Sequence, residues 1–237
     1  MSTLPLTGIS SMATRAVLAA LASDFERATG VAVHIESVGG VDAARRIQND
    51  EPFDFVVLAS DAIDKLVASG HVRSDTKRPI VDSNVAIAVR EGTPLPAIDS
   101  EDALRTTVLN AGRIGYSTGP SGTALLKIFD RWGIRESISD RLVQAPAGTP
   151  VGNLLARGDV DIAFQQLSEL MHVAGVRVVG GMPSTCTIVT TFTGAVVATS
   201  TRANAVQALL DFMTGPGTAT CKTQNGMNAP ALHGGAR

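Results

Sequence analysis

The chain has 237 residues, enough for one large or two small domains with hydrophobic cores of their own. Hydrophobic residues make up 44% and charged residues 18%, which is typical of a globular protein and excludes a disordered one. The net charge of −2 and the lack of a long basic run argue against nucleic acid as a partner. No apolar run approaches the roughly 20 residues of a membrane span, so we expect no membrane insertion. Aromatic residues are only 4%, which favours a small polar ligand.

The N-terminus and the cysteines set two further expectations. No basic region and no apolar core of signal-peptide length precede Leu6, which favours a cytoplasmic protein. A periplasmic location is the alternative if a signal has been removed. Cys186 and Cys221 are too few for a disulfide framework and lie in no metal-ligand spacing. We therefore expect two free thiols and neither a metal nor another cofactor.

The first predicted elements meet at a pair of serines. Residues 6–9 predict a short buried strand, and residues 12–29 predict a helix with an apolar face. Ser10 and Ser11 lie between them, and Ser11 is a favoured N-cap residue. The first N–H groups of a helix have no partner within it, and the helix dipole adds partial positive charge there. The turn is therefore a candidate anion site, although simple capping is the commoner role for such serines.

The same unit of strand, polar turn and helix recurs in the first 70 residues. Residues 31–37 alternate in hydrophobicity as a strand does and lead through Gly39 and Gly40 into a short helix. Residues 53–59 form a continuous apolar run, typical of a buried parallel strand, and Ser60 begins the next helix. Three such units in succession predict an α/β fold with a parallel sheet.

The second half of the chain repeats this pattern. Strands are predicted at residues 85–90, 113–116, 142–145, 161–164, 176–179 and 187–199. Helices are predicted at residues 100–110, 123–132, 203–213 and 216–225, and two shorter helices are predicted to end at residues 157 and 172. The polar turns between them contain Ser117, Thr118, Ser121, Pro150, Val151, Gln165 and Gln166. Five of these turns, at residues 10–11, 39–40, 117–122, 149–152 and 165–166, predict a cage of backbone N–H groups and short polar side chains around a small anion.

Two long β runs indicate how the chain divides. The runs near residues 79–90 and 187–199 can each cross from one lobe to another. We predict lobe I from residues 1–82 with 192–237, and lobe II from residues 83–191. Each lobe is expected to be a mainly parallel sheet with helices on both faces. Sheets of this class bind ligands at the carboxyl ends of their strands, so the ligand cleft is predicted between the lobes.

The order and spacing of five segments resemble a known family. They are GISSMATR, ESVGGVDAARRIQ, FDFVVLASD, IGYSTGPSGTALLKIFDRWG and IAFQQLSEL. Together they resemble the molybdate-binding-protein-like (ModA-like) branch of the type II periplasmic solute-binding fold, over the chain up to about Met227. The resemblance implies two α/β lobes joined by two crossing strands, with an oxyanion held by neutral donors.

The ligand positions implied by this resemblance are only partly kept. Ser11 matches the family's serine at the first helix start, and Ser121 lies at a backbone-donor position. The Gly39–Gly40 turn falls where the family has a hydroxyl-rich turn. Pro150, which has no N–H, falls at another backbone-donor position, and Gln165 stands where a tyrosine commonly donates. These departures weaken the match to a tetrahedral oxyanion.

The departures fit better the branch of the family that includes aconitate isomerase. That reaction moves a double bond in a tricarboxylate by a 1,3 proton shift, without a cofactor. Arg15 lies four residues after Ser11 and can bind a carboxylate bidentately, unless it lies on a solvated face or in an ion pair. The neighbours Arg45 and Arg46 could supply a second clamp, although a structural role is the commoner one. The candidate ligand-binding residues are Ser10, Ser11, Arg15, Gly39, Gly40, Ser60, Ser117, Thr118, Ser121, Pro150, Val151, Gln165 and Gln166.

A 1,3 proton shift also needs a base near the reacting carbon. The candidate catalytic residues are Tyr116, Ser10 and Glu169, with Lys65 and His172 farther along their helices. Tyr116 is the only tyrosine and precedes a serine-rich turn, which makes it the favoured candidate. Each of these residues is more often structural than catalytic, and Glu169 in particular is typical of a charge on an exposed helix face.

Two functions of different classes follow. The first is a cofactor-independent isomerase of a small polycarboxylate, related to aconitate isomerase. The alternative is the substrate-binding protein of an ABC transporter for molybdate, tungstate or another small anion, whose partner is the ABC permease. The sequence contains no nucleophile elbow with matching Asp and His, no phosphate-binding loop and no dinucleotide fingerprint, so these enzyme classes are excluded.

Overall fold

The computed structural model describes residues 4–146 and 148–231. The strands are β1 (Leu6–Ser11), β2 (Val33–Val38), β3 (Phe55–Ala59), β4 (Arg78–Arg90), β5 (Ile114–Tyr116), β6 (Leu142–Gln144), β7 (Ile162–Gln166), β8 (Val176–Gly181) and β9 (Val189–Val196). The helices are α1 (Arg15–Thr29), α2 (Gly40–Gln48), α3 (Ser60–Ala68), α4 (Glu101–Asn110), α5 (Pro120–Arg131), α6 (Val151–Arg157), α7 (Leu167–Leu170), α8 (Ala203–Thr214) and α9 (Ala219–Gln224). Over the described ranges, no helix combines the length and the hydrophobicity needed to cross a membrane.

The chain divides into two compact units. Unit 1 comprises residues 1–83 and 191–237, and unit 2 comprises residues 84–190. The chain passes from one unit to the other along β4 and returns along β9, because each of these strands has residues in both units. The predicted lobe boundaries, after residues 82 and 191, lie one residue from these.

Unit 1 is built on a sheet with the strand order β2-β1-β3-β9. β1 is parallel to β2 and β3, and β9 is antiparallel to β3. All five residues of β3 are buried, as its continuous apolar sequence predicts. Successive side chains of β3 point to opposite faces. Helices α1 and α8 cover one face through Leu21 and Leu210, and α2 and α3 cover the other through Ile47 and Ile63.

Unit 2 contains a mixed sheet where the sequence predicts a mainly parallel one. β5 is parallel to β6 and β7, but β4 is antiparallel to both β7 and β8. The difference arises because β4 arrives from unit 1 in the opposite direction and because β8 pairs with it. Helices α4 and α5 cover one face through Leu104 and Phe129, and α6 and α7 cover the other through Leu155 and Leu170.

The strand β7 is longer than predicted. The sequence predicts a strand at residues 161–164 followed by a turn, but Gln165 and Gln166 continue the strand. They do so because they pair with Ala86 and Val85 of β4 in the antiparallel ladder. Two polar side chains are therefore fixed at the end of a buried strand instead of lying in a turn.

Candidate functional site

In unit 1, several predicted ligand turns lie along one edge of the sheet. Ser10 of β1 is in register with Ser37 of β2 and Val57 of β3, and the three strands are parallel. Their carboxyl ends therefore share an edge, and α2, α3 and the turn before α1 begin there. We call the following residues the unit 1 edge: Ser10, Ser11, Arg15, Gly39, Gly40 and Ser60.

Ser11 does not cap the first helix with its hydroxyl. It is the last residue of β1, and a 3-10 turn, Met12–Thr14, separates it from α1, where the sequence predicts a helix from Met12 onward. The Ser11 hydroxyl makes no capping hydrogen bond, whereas its carbonyl accepts a 2.8 Å bond from the Thr14 hydroxyl. A Cβ placed on Gly40 would lie 3.9 Å from Ser11 Oγ, so this hydroxyl faces the start of α2. The prediction that the Ser11 hydroxyl caps the helix is thus wrong, and this hydroxyl remains available to a ligand.

Two other predicted donors of the unit 1 edge hold the unit together. Ser10 is fully buried, and its Oγ lies 2.9 Å from Ser37 Oγ. Ser60 Oγ lies 2.7 Å from Thr193 Oγ1 and donates a 3.0 Å bond to the Thr191 carbonyl. Both hydroxyls are therefore engaged by residues of neighbouring strands, Ser37 of β2 and Thr191 and Thr193 of β9. The hydroxyl of Ser11 makes no such bond and is available to a ligand, which distinguishes Ser11 from these two serines.

Arg15 is an exposed cation at the start of α1. None of the ion pairs found within residues 4–146 and 148–231 involves it. A positive charge at a helix N-terminus opposes the helix dipole, so this position gains nothing in stability from arginine. Arg15 instead adds to the positive potential at an edge where helix starts already present N–H groups.

The other two candidate arginines are engaged by carboxylates of their own unit. Arg45 pairs with Asp42 one turn earlier. Arg46 donates to Glu51 at 2.8 Å and to Glu36 at 3.0 Å, and this hydrogen bonding to Arg46 lowers the pKa of Glu36. These pairs favour the structural role for both arginines over a second carboxylate clamp.

In unit 2, the predicted ligand turns also share one sheet edge. Tyr116 of β5 is in register with Gln144 of β6 and Phe164 of β7, and the three strands are parallel. The starts of α5, α6 and α7 follow their carboxyl ends. We call the following residues the unit 2 edge: Tyr116, Ser117, Thr118, Ser121, Pro150, Val151, Gln165, Gln166 and Glu169.

The serine-rich turn of the unit 2 edge folds tightly onto α5. Ser117 Oγ lies 2.9 Å from Ser121 Oγ, while Thr118 is exposed. A Cβ added to Gly122 would lie 1.9 Å from the Ser117 carbonyl oxygen, so only glycine fits there. The helix begins at Pro120, before the predicted start at 123, because proline is well suited to a first helical position.

Tyr116, the favoured catalytic candidate, lies in the core. It is 9% exposed and packs in one cluster with Leu125 and Phe129. This environment favours a packing role. Lys65 and His172, the more distant candidates, are exposed.

Glu169 is the carboxyl group of the unit 2 edge, and it is partly buried instead of lying on an exposed helix face as the sequence suggests. Burial raises its pKa to about 7, and a hydrogen-bonding contact with the Gln165 side chain acts in the opposite direction. Gln165 is 3% exposed, and its Oε1 accepts a 3.3 Å bond from the backbone N–H of Gly152 in α6. Val151, the first residue of α6, is fully buried, and Pro150 precedes it as the N-cap. A carboxyl that titrates near neutrality can both accept and return a proton.

Two buried polar atoms have no partner within the described ranges, Gln166 Oε1 and Ser83 Oγ. Gln166 is 4% exposed, and its Nε2 donates a 3.0 Å bond to Thr190 Oγ1, which fixes the amide. An unpaired buried polar atom costs about 1–3 kcal/mol, so such atoms point to a bound group. Ser83 is not among the site residues predicted from the sequence. Its signal is the polar triplet at residues 82–84 inside the otherwise apolar strand β4.

Known proteins resemble this chain in sequence and in fold. The profile of a family described as bacterial extracellular solute-binding protein matches residues 6–228. An aconitate isomerase from Pseudomonas sp is 37% identical over 214 residues, which are 88% of this chain and 81% of that protein. These matches confirm the predicted resemblance, including the relationship to aconitate isomerase.

Solved structures of anion-binding proteins share the fold. The periplasmic molybdate-binding protein of Azotobacter vinelandii has a TM-score of 0.79 at 18% identity, covering 95% of this chain and 100% of that chain. The tungstate ABC transporter structure from Geobacter sulfurreducens has a TM-score of 0.74 at 14% identity, covering 93% of this chain and 98% of that chain. The predicted α/β fold of the type II periplasmic binding proteins is thereby confirmed.

Proposed function

We propose that this chain, which belongs to the family of bacterial extracellular solute-binding proteins, is a cofactor-independent isomerase of a small polycarboxylate. The reaction moves a double bond by a 1,3 proton shift, with an aconitate-like acid as substrate. The observation that carries the proposal is the 37% identity to an aconitate isomerase over 88% of this chain. The chemistry of each edge supports it, because the unit 1 edge has anion donors and the unit 2 edge has a carboxyl group able to transfer a proton.

The unit 1 edge supports the binding part of this function. The free hydroxyl of Ser11, the helix start at Gly40 and the unpaired charge of Arg15 all favour a carboxylate. The unit 2 edge adds Gln166, whose amide nitrogen donates to Thr190 and whose amide oxygen has no partner among the described residues.

Glu169 is the proton-transfer group in this proposal. Its carboxylate removes a proton from the saturated carbon next to the double bond, and the electron pair passes into the conjugated system. The double bond then shifts by one carbon, and Glu169 returns the proton to the carbon at the far end. No electron is gained or lost overall. Donors at the helix starts stabilise the negative charge that develops on the substrate carboxylate.

The other two catalytic candidates are less suited to this step. Ser10 is fully buried and its hydroxyl is engaged with Ser37. Tyr116 packs its ring in the core of unit 2. Glu169 alone among the three combines partial exposure with a pKa moved toward neutrality, which suits a group that must exchange protons at neutral pH.

The direct test is to incubate the purified protein with trans-aconitate and to follow the cis isomer by NMR. We expect turnover by the wild type and a loss of about 100-fold or more in kcat for Glu169→Gln. Glu136→Gln, which changes an exposed carboxyl of the same unit, is the matched control and should retain full activity. Absence of turnover with any tricarboxylate would refute the isomerase.

The second candidate function is that of the binding protein of an ABC transporter for a small oxyanion. The family match and the fold shared with molybdate-binding and tungstate-transport proteins favour it. Its partner is then the transporter permease. A thermal-shift series in molybdate, tungstate and tricarboxylates separates the two functions. Stabilisation by molybdate alone, together with no turnover, would establish the transport role in place of the enzyme.

A further inference from the structure

We propose that Gly40 determines which ligands reach the unit 1 edge, because its missing side chain leaves open the space in front of the Ser11 hydroxyl. The open space admits a carboxylate that is carried on a carbon skeleton, which is a bulkier ligand than a tetrahedral oxyanion. This inference rests on the proposed function and deepens it, because it identifies a residue that selects for a polycarboxylate.

The backbone of this turn does not require glycine. Gly39, the N-cap residue of α2, has φ −57° and ψ 136°, which other residues adopt readily. Gly40 is the first residue of α2, and its φ is not positive either. Glycine destabilises a helix relative to alanine, and serine or asparagine would cap it better. The two glycines therefore cost some stability and relieve no backbone strain.

Packing does not require glycine at residue 40 either. An added Cβ would lie 3.9 Å from Leu58 Cδ2 and 3.9 Å from Ser11 Oγ, which are ordinary van der Waals distances. At Gly122 of the unit 2 edge, by contrast, an added Cβ would lie 1.9 Å from the Ser117 carbonyl oxygen. The fold thus needs glycine at residue 122 but tolerates a side chain at residue 40.

A side chain at residue 40 would instead obstruct the Ser11 hydroxyl. Of the two atoms that its Cβ would contact, Leu58 Cδ2 belongs to a buried side chain. The other, Ser11 Oγ, belongs to a half-buried residue and makes no capping bond. A methyl group here would take up space through which a ligand reaches this hydroxyl. Glycine therefore allows a ligand to approach both the hydroxyl and the first N–H groups of α2.

The residue that follows Gly40 supports an organic ligand. Val41 is 78% exposed, although it is a large hydrophobic residue at the start of a helix. Covering an exposed apolar side chain with a carbon skeleton is favourable, whereas an inorganic oxyanion presents only oxygen atoms to it. Bare backbone next to an exposed valine is therefore better matched to a carboxylate with a carbon skeleton.

The test measures affinity by titration calorimetry with trans-aconitate and, separately, with molybdate. We expect Gly40→Ala to bind trans-aconitate about 10-fold more weakly than the wild type, and Gly40→Ser more weakly still, because the added atoms occupy the space of the ligand. Affinity for molybdate, the smaller anion, should change less than about threefold in either variant. Urea unfolding checks that both variants are folded.

Gly217→Ala is the matched control. Gly217 is an exposed glycine of unit 1, in the 3-10 helix Pro216–Thr218, and an added Cβ would meet nothing within 4 Å. This variant should bind trans-aconitate as the wild type does. An equal loss of affinity in Gly217→Ala and Gly40→Ala would trace the effect to helix stability and overturn the inference.

The remaining outcomes separate this inference from the proposed function. Unchanged affinity for trans-aconitate in Gly40→Ala, or equal losses for trans-aconitate and molybdate, would overturn the selecting role of Gly40 even if the wild type is an active isomerase. A selective loss of trans-aconitate binding in a protein without turnover would support the role of Gly40 and refute only the isomerase. A wild type that does not bind trans-aconitate would overturn both.

Discussion

In unit 1 the carboxyl ends of β1, β2 and β3 lead into α1, α2 and α3, and in unit 2 those of β5, β6 and β7 lead into α5, α6 and α7. The backbones of the two edges therefore present the same kind of helix starts. Their side chains differ. The unit 1 edge has small hydroxyl and glycine residues with Arg15 as an exposed cation, whereas the unit 2 edge has buried amides and Glu169, a carboxyl with a raised pKa.

This difference shows that edge geometry and reactivity have separate origins. Parallel strands followed by helices are sufficient to gather N–H donors at one edge, and this is enough to bind an anion. Proton transfer needs in addition a carboxyl partly removed from water, which only the unit 2 edge supplies. The predictions below test how far the two edges differ, in order of decreasing expected effect.

The largest expected difference concerns glycines at the two helix starts. Gly122→Ala should lower the free energy of unfolding by about 3 kcal/mol, because the new Cβ meets the Ser117 carbonyl at 1.9 Å. Gly40→Ala should cost less than about 0.5 kcal/mol, since its Cβ would have ordinary contacts at 3.9 Å. Urea unfolding of both variants measures the difference. Equal losses would show that both turns are equally tight.

The pH dependence of stability should distinguish Glu169 from ordinary carboxyls. The pKa of Glu169 in the folded protein is about 7, above the 4.5 that is usual for a glutamate side chain in water, so the folded state binds the proton more tightly. The stability this contributes is fully present below pH 4.5 and is lost as the pH rises through 7. Relative to Glu169→Gln, the wild type should lose on the order of 2 kcal/mol over this range.

Urea unfolding of both proteins at several pH values across this range provides the measurement. Glu136→Gln, at an exposed position of the same unit, is the control. A constant difference between wild type and Glu169→Gln at every pH would mean that Glu169 is as well solvated as a surface carboxyl.

Arg15→Ala tests the cation of the unit 1 edge. A buried charge pair would contribute about 2–5 kcal/mol to carboxylate binding. Because Arg15 is exposed, we expect only about 1 kcal/mol, or roughly a fivefold weaker affinity, which decreases further with added salt. Arg45→Ala, whose charge is engaged by Asp42, should leave the affinity unchanged. Titration calorimetry with a tricarboxylate, at low and at high salt, measures the affinity of both variants. An equal loss of affinity in the two variants would contradict the distinction between Arg15 and Arg45.

The smallest expected effect is on the stability of Ser11→Ala. Its hydroxyl makes no capping bond, so the loss should be below about 0.5 kcal/mol. Ser100→Ala is the matched control, because Ser100 Oγ accepts the N–H of Ala103 at 3.1 Å at the start of α4, and its loss should cost about 1 kcal/mol. A large loss of stability for Ser11→Ala in thermal unfolding would show that this serine has a purely structural role.

The sequence predicts the fold better than it predicts the use of individual polar groups. The buried strand Phe55–Ala59, predicted at residues 53–59, and the helix that begins at Ser60 follow from local apolar patterns, which depend on neighbours in sequence. The extension of β7 through Gln165 and Gln166 depends on pairing with β4, about 80 residues earlier in the chain. The hydrophobic pattern of neighbouring residues cannot predict this pairing.

Serines at predicted turns show the same limit at the level of single atoms. Ser10, Ser11 and Ser60 look equivalent in sequence, each lying where a strand leads into a helix. Ser60 is engaged by Thr193, far along the chain, and Ser10 by Ser37, whereas the Ser11 hydroxyl caps nothing. Which hydroxyl is free depends on partners brought close by the fold. For the same reason, the raised pKa of Glu169 could not be read from the sequence, because it arises from burial.

The path of the chain through β4 and β9 has a consequence for synthesis on the ribosome. Unit 2 is one continuous stretch of the chain, and it interrupts unit 1. Strand β3 can pair with β9 only after more than half of the protein has been synthesised. Until then, β3 has an open, apolar strand edge that can pair with a neighbouring nascent chain. Unit 2 can complete its own sheet before the ribosome releases the chain, and the last segments then close unit 1. Slow translation or premature termination after residue 190 should therefore favour aggregation through β3.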